Sequence, residues 1–137
     1  MAGKKTLTFS IMDAPYENGR TVTALRLLDI AARRGYDLTV FAYEGAVSLA
    51  FAKQEPHANA VHGRDLAEED HPVPREWVAA LIKTAEANGG KLDWINCGLC
   101  VDERGVAEAL PFVKRGTPGN LLEWAEASDN TLIIGTR

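Results

Sequence analysis

Strand-like and helix-like segments alternate along this sequence, and that alternation constrains the fold more than any other feature. Apolar and β-branched runs predict strands, and the segments between them carry apolar residues at helical spacing. The predicted strands cover 7–12, 37–43, 92–96, 112–113 and 131–134, and the predicted helices cover 21–34, 46–53, 75–88 and 118–127. This order predicts an α/β fold, a single-domain parallel sheet of about five strands with helices on both faces.

The first predicted helix shows the spacing most clearly. Apolar residues recur at i, i+3, i+4 and i+7, which predicts one buried stripe. That stripe consists of Ala24, Leu27, Leu28 and Ala31. Near the end of the chain, Thr117 and Pro118 form an N-cap and first-turn pair that predicts the start of the last helix.

Length and composition fit one ordinary globular domain, predicted to span 1–137. Fifteen basic and nineteen acidic residues give a net charge of −4, and no Lys/Arg cluster appears, so nucleic acid is not an expected partner. The longest apolar run, 77–82, is far shorter than the roughly 20 residues of a membrane span. No membrane partner is therefore expected, and a cytoplasmic location is predicted.

One stretch, 54–74, breaks the pattern of strands and helices. It holds all three histidines, His57, His62 and His71, together with three prolines and an acidic cluster. Such a long loop is uncommon in a compact domain, and it is typical of a lid, a partner surface or disorder. We therefore interpret 54–74 as a variable surface loop.

The two cysteines, Cys97 and Cys100, follow the third predicted strand at its carboxyl end, where reactive groups of parallel sheets collect. Two thiols cannot build a disulfide scaffold. The spacing leaves several interpretations open: ordinary small core residues, a dithiol redox pair, or one nucleophilic cysteine with the other as helper. A zinc site would need the histidines as further ligands. No serine-based elbow motif and no nucleotide-binding glycine motif is present.

Residues around the cysteines permit a nucleophilic thiol, but they act on its pKa in opposite directions and do not name a reaction. One or two helical turns are predicted after them, interrupted at Gly105, and a helix start favours an anion. Arg104 lies four residues beyond Cys100 and could face it across one turn, whereas the neighbouring carboxylates oppose a thiolate. Gly98 permits a tight turn or the close approach of a sulfur acceptor.

The segment Cys-Gly-Leu-Cys-Val-Asp-Glu-Arg-Gly at 97–105 resembles the active-site segment of the DsrE/DsrF-like sulfur-relay family, most closely its YchN-like branch. The resemblance extends to the first helix at 18–28, the second strand at 38–47 and the final helix at 121–130. It implies the family fold, with a cysteine that accepts sulfane sulfur as a persulfide, which makes the chain a possible sulfurtransferase.

By this resemblance, Cys97 holds the position of the sulfur carrier and Cys100 that of the second cysteine. We expect Cys100 to resolve or modulate, and Arg104 with the backbone N–H groups from Gly98 to Cys100 to steady the anionic sulfur. Tyr16, Asn18 and Tyr43, on loops or strand ends, are candidate pocket-lining residues. No organic cofactor and no metal is called for. The implied partners are sulfur-donor and sulfur-acceptor proteins and further copies of the chain, as a trimer or hexamer. The alternatives that stay open are a dithiol redox or metal-binding protein and a non-catalytic oligomeric adaptor.

Overall fold

The computed structural model describes residues 4–55, 63, 65, 67 and 73–136, in which five parallel strands and four α-helices alternate. In chain order the elements are β1 (Thr6–Ile11), α1 (Gly19–Arg33), β2 (Asp37–Ala42), α2 (Pro74–Ala87), β3 (Lys91–Cys97), α3 (Gly98–Arg104), β4 (Val113–Gly116), α4 (Pro118–Ala127) and β5 (Asn130–Ile134). A 3-10 helix, Glu44–Ser48, follows β2.

The strands form one sheet in the order β4-β3-β2-β1-β5, and every pairing is parallel. From β1 to β4 the chain advances in one direction across the sheet, and β5 returns to the other side of β1. Because such crossovers are right-handed, α1, α2 and α3 belong to one face and α4 to the other. In agreement, α1 packs against α2, and α4 packs against β1 and β2. The predicted parallel α/β sheet is confirmed.

The hydrophobic core lies between the sheet and the helices α1 and α2. Phe9, Val40 and Trp94 stand in register on β1, β2 and β3, and all three are buried. Alternate residues point to the α4 face. There the hydroxyls of Thr8 and Thr39 share a 2.8 Å hydrogen bond, and this face is therefore the more polar side of the sheet.

The buried stripe of α1 differs from the prediction at one position. Ala24, Leu28 and Ala31 are buried as expected, but Leu27 is 37% exposed. Leu25 is buried in its place. The reason is that α1 contacts both the sheet and α2, which turns its apolar face away from Leu27.

The predicted helix at 46–53 is wrong. The chain instead forms the 3-10 helix Glu44–Ser48, and the backbone beyond it is engaged elsewhere. The N–H of Ala52 donates to the carbonyl of Glu108 at 2.7 Å, and the carbonyl of Ala50 accepts from Leu110 at 3.0 Å. These bonds to the segment after α3 replace the hydrogen bonds that a continued helix would need.

Two further elements shift relative to the sequence prediction. The strand predicted at 112–113 lies at Val113–Gly116, and the helical turns predicted at 101–109 form α3, which ends at Gly105 in the left-handed conformation (φ 64°). The predicted cap of the last helix is confirmed: Thr117 Oγ1 accepts from the N–H of Gly119 at 3.2 Å.

Most of the predicted loop 54–74, including all three histidines, lies outside the described residues. The two ends of that stretch are tied together by Gln54. Its amide donates to the carbonyl of Leu49 at 2.8 Å, and its carbonyl accepts from the backbone N–H of Arg75 at 2.9 Å.

Candidate functional site

The two cysteines lie at the carboxyl edge of the sheet, where β2, β3 and β4 end side by side. Ala42 pairs with Asn96, and Cys97 pairs with Gly116, so the chain leaves all three strands at nearly the same level. We call Cys97 and Cys100, with the flanking residues Tyr43, Glu44 and Arg115, the thiol site.

Cys97 is both the last residue of β3 and the N-cap of α3, which places Cys100 in the first helical turn. Both are free thiols, exposed by only 4% and 5%. Leu99 between them is 69% exposed. A thiol that exchanges sulfur must be reachable from solvent, whereas this strand end is covered by its neighbours in the sheet and by the turn that follows. Only a narrow part of each side chain faces solvent.

Cys100 is held against the segment that follows β2. The backbone N–H of Glu44 donates to the Cys100 sulfur at 3.2 Å. Burial, with a smaller contribution from the neighbouring Cys97, raises the pKa of Cys100 to about 11, although the hydrogen bond from the Glu44 N–H acts in the opposite direction. Cys100 is therefore a protonated thiol at neutral pH.

Tyr43, which immediately precedes the 3-10 helix, stands beside both thiols. Desolvation raises its pKa, and the neighbouring charges of Cys100 and Cys97 raise it as well. Its backbone N–H donates to Ile11 at 2.9 Å, which fixes the path of the chain as it leaves β2. Of the three pocket-lining candidates proposed from the sequence, Tyr43 is the one that the structure brings to the cysteines.

A buried amide holds the 3-10 helix in place next to the thiols. Asn96 precedes Cys97 and is almost fully buried. Its carbonyl accepts from the indole of Trp94 at 3.0 Å, and its amide donates to the carbonyl of Val47 at 3.5 Å. The position of the Glu44 N–H therefore depends on a polar side chain inside the core.

Arg104 contacts Cys100 through the backbone rather than through the sulfur. Its guanidinium donates to the carbonyl of Cys100 at 3.4 Å. It also pairs with Glu44 at 3.2 Å and with Glu103 at 3.6 Å. The sequence suggests that the positive charge of Arg104 faces the cysteine sulfur. In the structure this charge is paired with two carboxylates instead.

Arg115, on β4, belongs to this site although no sequence motif points to it. Its guanidinium forms a two-pronged ion pair with Asp102 at 3.0 and 2.9 Å, and it donates to the carbonyl of Gly98 at 3.0 Å. The ion pair raises the pKa of Arg115 and lowers the pKa of Asp102. The nearby charge of Cys97 also raises the pKa of Arg115, by a smaller amount. The strand predicted at 112–113 is too short to include Arg115. Because β4 continues to Gly116, which pairs with Cys97, Arg115 lies beside the cysteine segment.

Tyr16 and Asn18 lie at cavities that no cysteine lines. Tyr16 adopts a left-handed backbone (φ 69°) and borders an apolar groove of about 250 Å³ with Val22 and Trp77. Asn18 caps α1 by accepting from the N–H of Arg20 at 2.7 Å, and it borders an open cleft near the end of β5.

Within the described residues, no group of three or more His, Cys, Asp or Glu side chains is arranged to hold a metal ion. The histidines proposed as further zinc ligands lie outside that part of the chain. None of the described helices is long and apolar enough to cross a membrane.

Comparison with known proteins agrees with this architecture. Residues 5–133 match the DsrE/DsrF-like family. An uncharacterized protein of Methanopyrus kandleri is 27% identical over 134 residues, which is 96% of each chain.

Two solved structures share the fold. The ychN protein of E. coli has a TM-score of 0.72 at 19% identity, over 94% of this chain and 98% of that one. A conserved protein of unknown function from Bacteroides thetaiotaomicron has a TM-score of 0.57 at 13% identity, over 94% of both chains. Because the family match spans nearly the whole described sheet and includes the cysteine segment, this chain belongs to the DsrE/DsrF-like family.

Proposed function

We propose that this protein is a sulfur carrier that accepts sulfane sulfur on Cys97 as a persulfide and passes it to an acceptor. The observation that carries the proposal is the position of Cys97 at the end of β3, capping α3, with a second buried thiol one turn away. Family membership supports the same chemistry.

The transfer consists of two thiol exchanges. The Cys97 thiolate attacks the outer sulfur of a donor persulfide, a new S–S bond forms at Cys97, and the donor leaves as a thiolate. An acceptor thiolate then attacks the outer sulfur on Cys97, which restores the Cys97 thiolate. Each step exchanges one S–S bond for another, so no external oxidant or reductant is consumed.

Burial of Cys97 means that α3 must move for the sulfur to be reached. This helix has seven residues, and Leu99 in its first turn is mostly exposed. The described ion pairs that hold it, Arg104–Glu44 and Arg115–Asp102, are largely exposed at the surface. Such pairs contribute only about 0–1 kcal/mol each. Local opening of α3 also exposes the buried side chains of Cys100 and Val101, but it leaves the sheet intact and so costs less than global unfolding.

Mass spectrometry of the protein after incubation with a sulfane-sulfur donor tests the proposal. We expect a gain of one sulfur atom in the wild type and in Cys100→Ser, and no gain in Cys97→Ser. A gain that survives in Cys97→Ser would contradict the assignment of the carrier. Cys100→Ser is the matched control because it removes the other thiol from the same helical turn.

A dithiol redox function is the second candidate, and the placement of two free thiols within one turn, at the end of β3 and the start of α3, favours it. In that case a mild oxidant closes a Cys97–Cys100 disulfide that a reductant reopens. Thiol titration before and after oxidation separates the two functions, because a pure redox protein would form this disulfide but gain no sulfur from the donor.

The proposal extends to the partners and the setting of the protein. We expect it to work in the cytoplasm with a donor and an acceptor protein, and to assemble with copies of itself as a trimer or hexamer. Two exposed apolar side chains, Leu122 on α4 and Ile133 on β5, support self-association.

A further inference from the structure

The helix α3 lies between two segments that are fixed through their backbones. Before it, β3 pairs with a strand on each side. After it, the backbones of Glu108 and Leu110 are bonded to the segment that follows the 3-10 helix, at 2.7 and 3.0 Å. The seven residues of α3 itself are joined to their surroundings through side chains, so this helix can open while both flanking segments stay in place.

Arg115 spans α3 from the neighbouring strand. Its Nη2 donates to the carbonyl of Gly98 at 3.0 Å, and Gly98 directly follows the proposed sulfur carrier Cys97. The same guanidinium binds Asp102, one turn further along α3, through two bonds of 3.0 and 2.9 Å. Three hydrogen bonds to one side chain must therefore break before the start of α3 can move away from β4.

Gly98 lets the guanidinium approach the backbone this closely. A Cβ atom at Gly98 would lie 3.1 Å from Arg115 Nη2 and 3.3 Å from Arg115 Nε. Those separations are shorter than ordinary carbon–nitrogen contacts, so a side chain at this position would displace the arginine. Gly98 has no positive φ, and the close approach of Arg115 is therefore the reason that the structure offers for a glycine here.

Glu44 also holds α3, but it does so at the second cysteine. Its N–H donates to the Cys100 sulfur at 3.2 Å, and its carboxylate pairs with Arg104 at 3.2 Å. The pair with Arg104 joins partly exposed groups through one short contact, and such a pair contributes little. A two-pronged arginine–carboxylate pair is the stronger arrangement, and Arg115 adds a bond to a backbone carbonyl.

We propose that Arg115 is a positioning residue that holds α3 closed over Cys97, so that release of its guanidinium from Gly98 and Asp102 sets how often the sulfur becomes reachable. The inference rests on the proposed function, because a thiol that exchanges sulfur needs this access. Cys97 is only 4% exposed while α3 is closed, so the fraction of open protein limits the exchange. Arg115 acts through the backbone of α3 rather than on the sulfur.

Hydrogen exchange of the backbone amides, followed by mass spectrometry and corrected for intrinsic rates, measures this opening without any sulfur chemistry. We expect Arg115→Met to lower the protection of the α3 amides by about fivefold, the upper end of what one exposed ion pair contributes. Asp102→Asn should lower it by less, because the bond from Arg115 to the carbonyl of Gly98 is retained. The amides of β3 should keep their wild-type protection in both variants, because the sheet does not open.

Arg33→Met is the matched control, because it removes an exposed arginine that pairs with Asp29 on α1, and it should leave the protection of α3 unchanged. Alkylation of Cys97 by a small reagent, in a Cys100→Ser background, supplies the second readout. Arg115→Met should make this alkylation about fivefold faster, in proportion to the open fraction. If Arg115 acted only through its charge, the same substitution would disfavour the thiolate and slow the reaction.

Unchanged protection of α3 in Arg115→Met, an equal loss of protection in α3 and β3, or slower alkylation of Cys97 would overturn the proposal. If Arg115→Met does not fold, as judged by circular dichroism, the exchange of α3 in Asp102→Asn decides. Neither measurement uses a sulfur donor. The persulfide experiment can therefore fail while the role of Arg115 stands, and a persulfide on Cys97 would not by itself establish that role.

Discussion

The two thiols lie three residues apart, yet their surroundings give them different tasks. Cys100 is protonated at neutral pH because burial and the neighbouring Cys97 raise its pKa to about 11. Cys97 caps the helix and lies next to the residue that Arg115 contacts. A protonated Cys100 can donate a hydrogen bond to an anionic sulfur on Cys97, and in that form it is a poor nucleophile. This difference would let the carrier hold a persulfide beside a second thiol.

The protonation of Cys100 predicts how a loaded protein decays. The Cys100 thiolate can attack the inner sulfur of the Cys97 persulfide, which forms the Cys97–Cys100 disulfide and releases sulfide. Below its pKa of about 11, the thiolate fraction of Cys100 rises with pH. Sulfide release should therefore increase by about tenfold per pH unit from about pH 7 to about pH 10.

Colorimetric sulfide measurement on the loaded protein, in the absence of any acceptor, checks this dependence. In Cys100→Ser the release should stay at the background level throughout the range. A release rate in the wild type that does not vary with pH would show that Cys100 is already ionised near neutrality, against the effect of its burial.

The sequence predicts the cysteines of the site but not the charges around them. Cys97, Cys100 and Arg104 belong to one continuous segment, so local spacing places them together. Arg115 is 18 residues from Cys97 in the numbering, and the two meet only because β3 and β4 pair as far as Gly116. Glu44 likewise contacts Cys100 through its backbone N–H. Because almost every residue has a backbone N–H, the identity of residue 44 could not predict this contact.

At the scale of elements, the 3-10 helix Glu44–Ser48 determines how tightly the second thiol is held. Its first residue has a positive φ of 51° and presents its N–H to Cys100. Gly45 packs directly on the loop after β1, where an added Cβ would lie 2.9 Å from Ala14 Cβ and 3.0 Å from its backbone nitrogen. Because part of that contact is with backbone, it cannot be relieved by a side-chain rotation.

Gly45→Ala should therefore displace the 3-10 helix and loosen Cys100. We expect a loss of about 1–3 kcal/mol in the free energy of unfolding, the usual cost of overpacking. Alkylation of Cys100 should become faster in the same variant, measured in a Cys97→Ser background. Urea denaturation and the alkylation time course provide the two measurements.

Gly19→Ala is the matched control for this substitution, because nothing lies within 4 Å of a Cβ added at Gly19, the first residue of α1. It should leave stability unchanged or raise it by up to about 1 kcal/mol. Equal losses in Gly19→Ala and Gly45→Ala would mean that the contact with Ala14 is not the cause.

The sequence predicts the order of the elements well and their ends less well. Periodicity finds α1, α2, α4 and the central strands because each has a long apolar pattern. It misplaces β4, whose residues Lys114 and Arg115 are exposed on an edge strand and carry no apolar alternation. It fails at 46–53 because the bonds of Ala50 and Ala52 to the segment after α3 are long-range.

At the scale of the whole molecule, the two faces of the sheet are covered unequally. The face under α1 and α2 contains the core, whereas α4, alone on the other face, has no buried residue. Leu122 on α4 is 62% exposed, and Ile133 on the edge strand β5 is 56% exposed. Ile133 pairs in register with Ser10, next to Thr8, and so belongs to the face that α4 covers.

Apolar side chains left open on one face are the surface that a second copy of the chain would bury. If the proposed homo-oligomer forms through this face, Leu122→Asp combined with Ile133→Asp should convert it to monomers, as measured by size-exclusion chromatography with light scattering. Ile30→Asp is the control, because Ile30 is an exposed apolar residue on α1, on the opposite side of the sheet. An assembly that survives the double substitution but dissociates in Ile30→Asp would place the contact between copies on the α1 side instead.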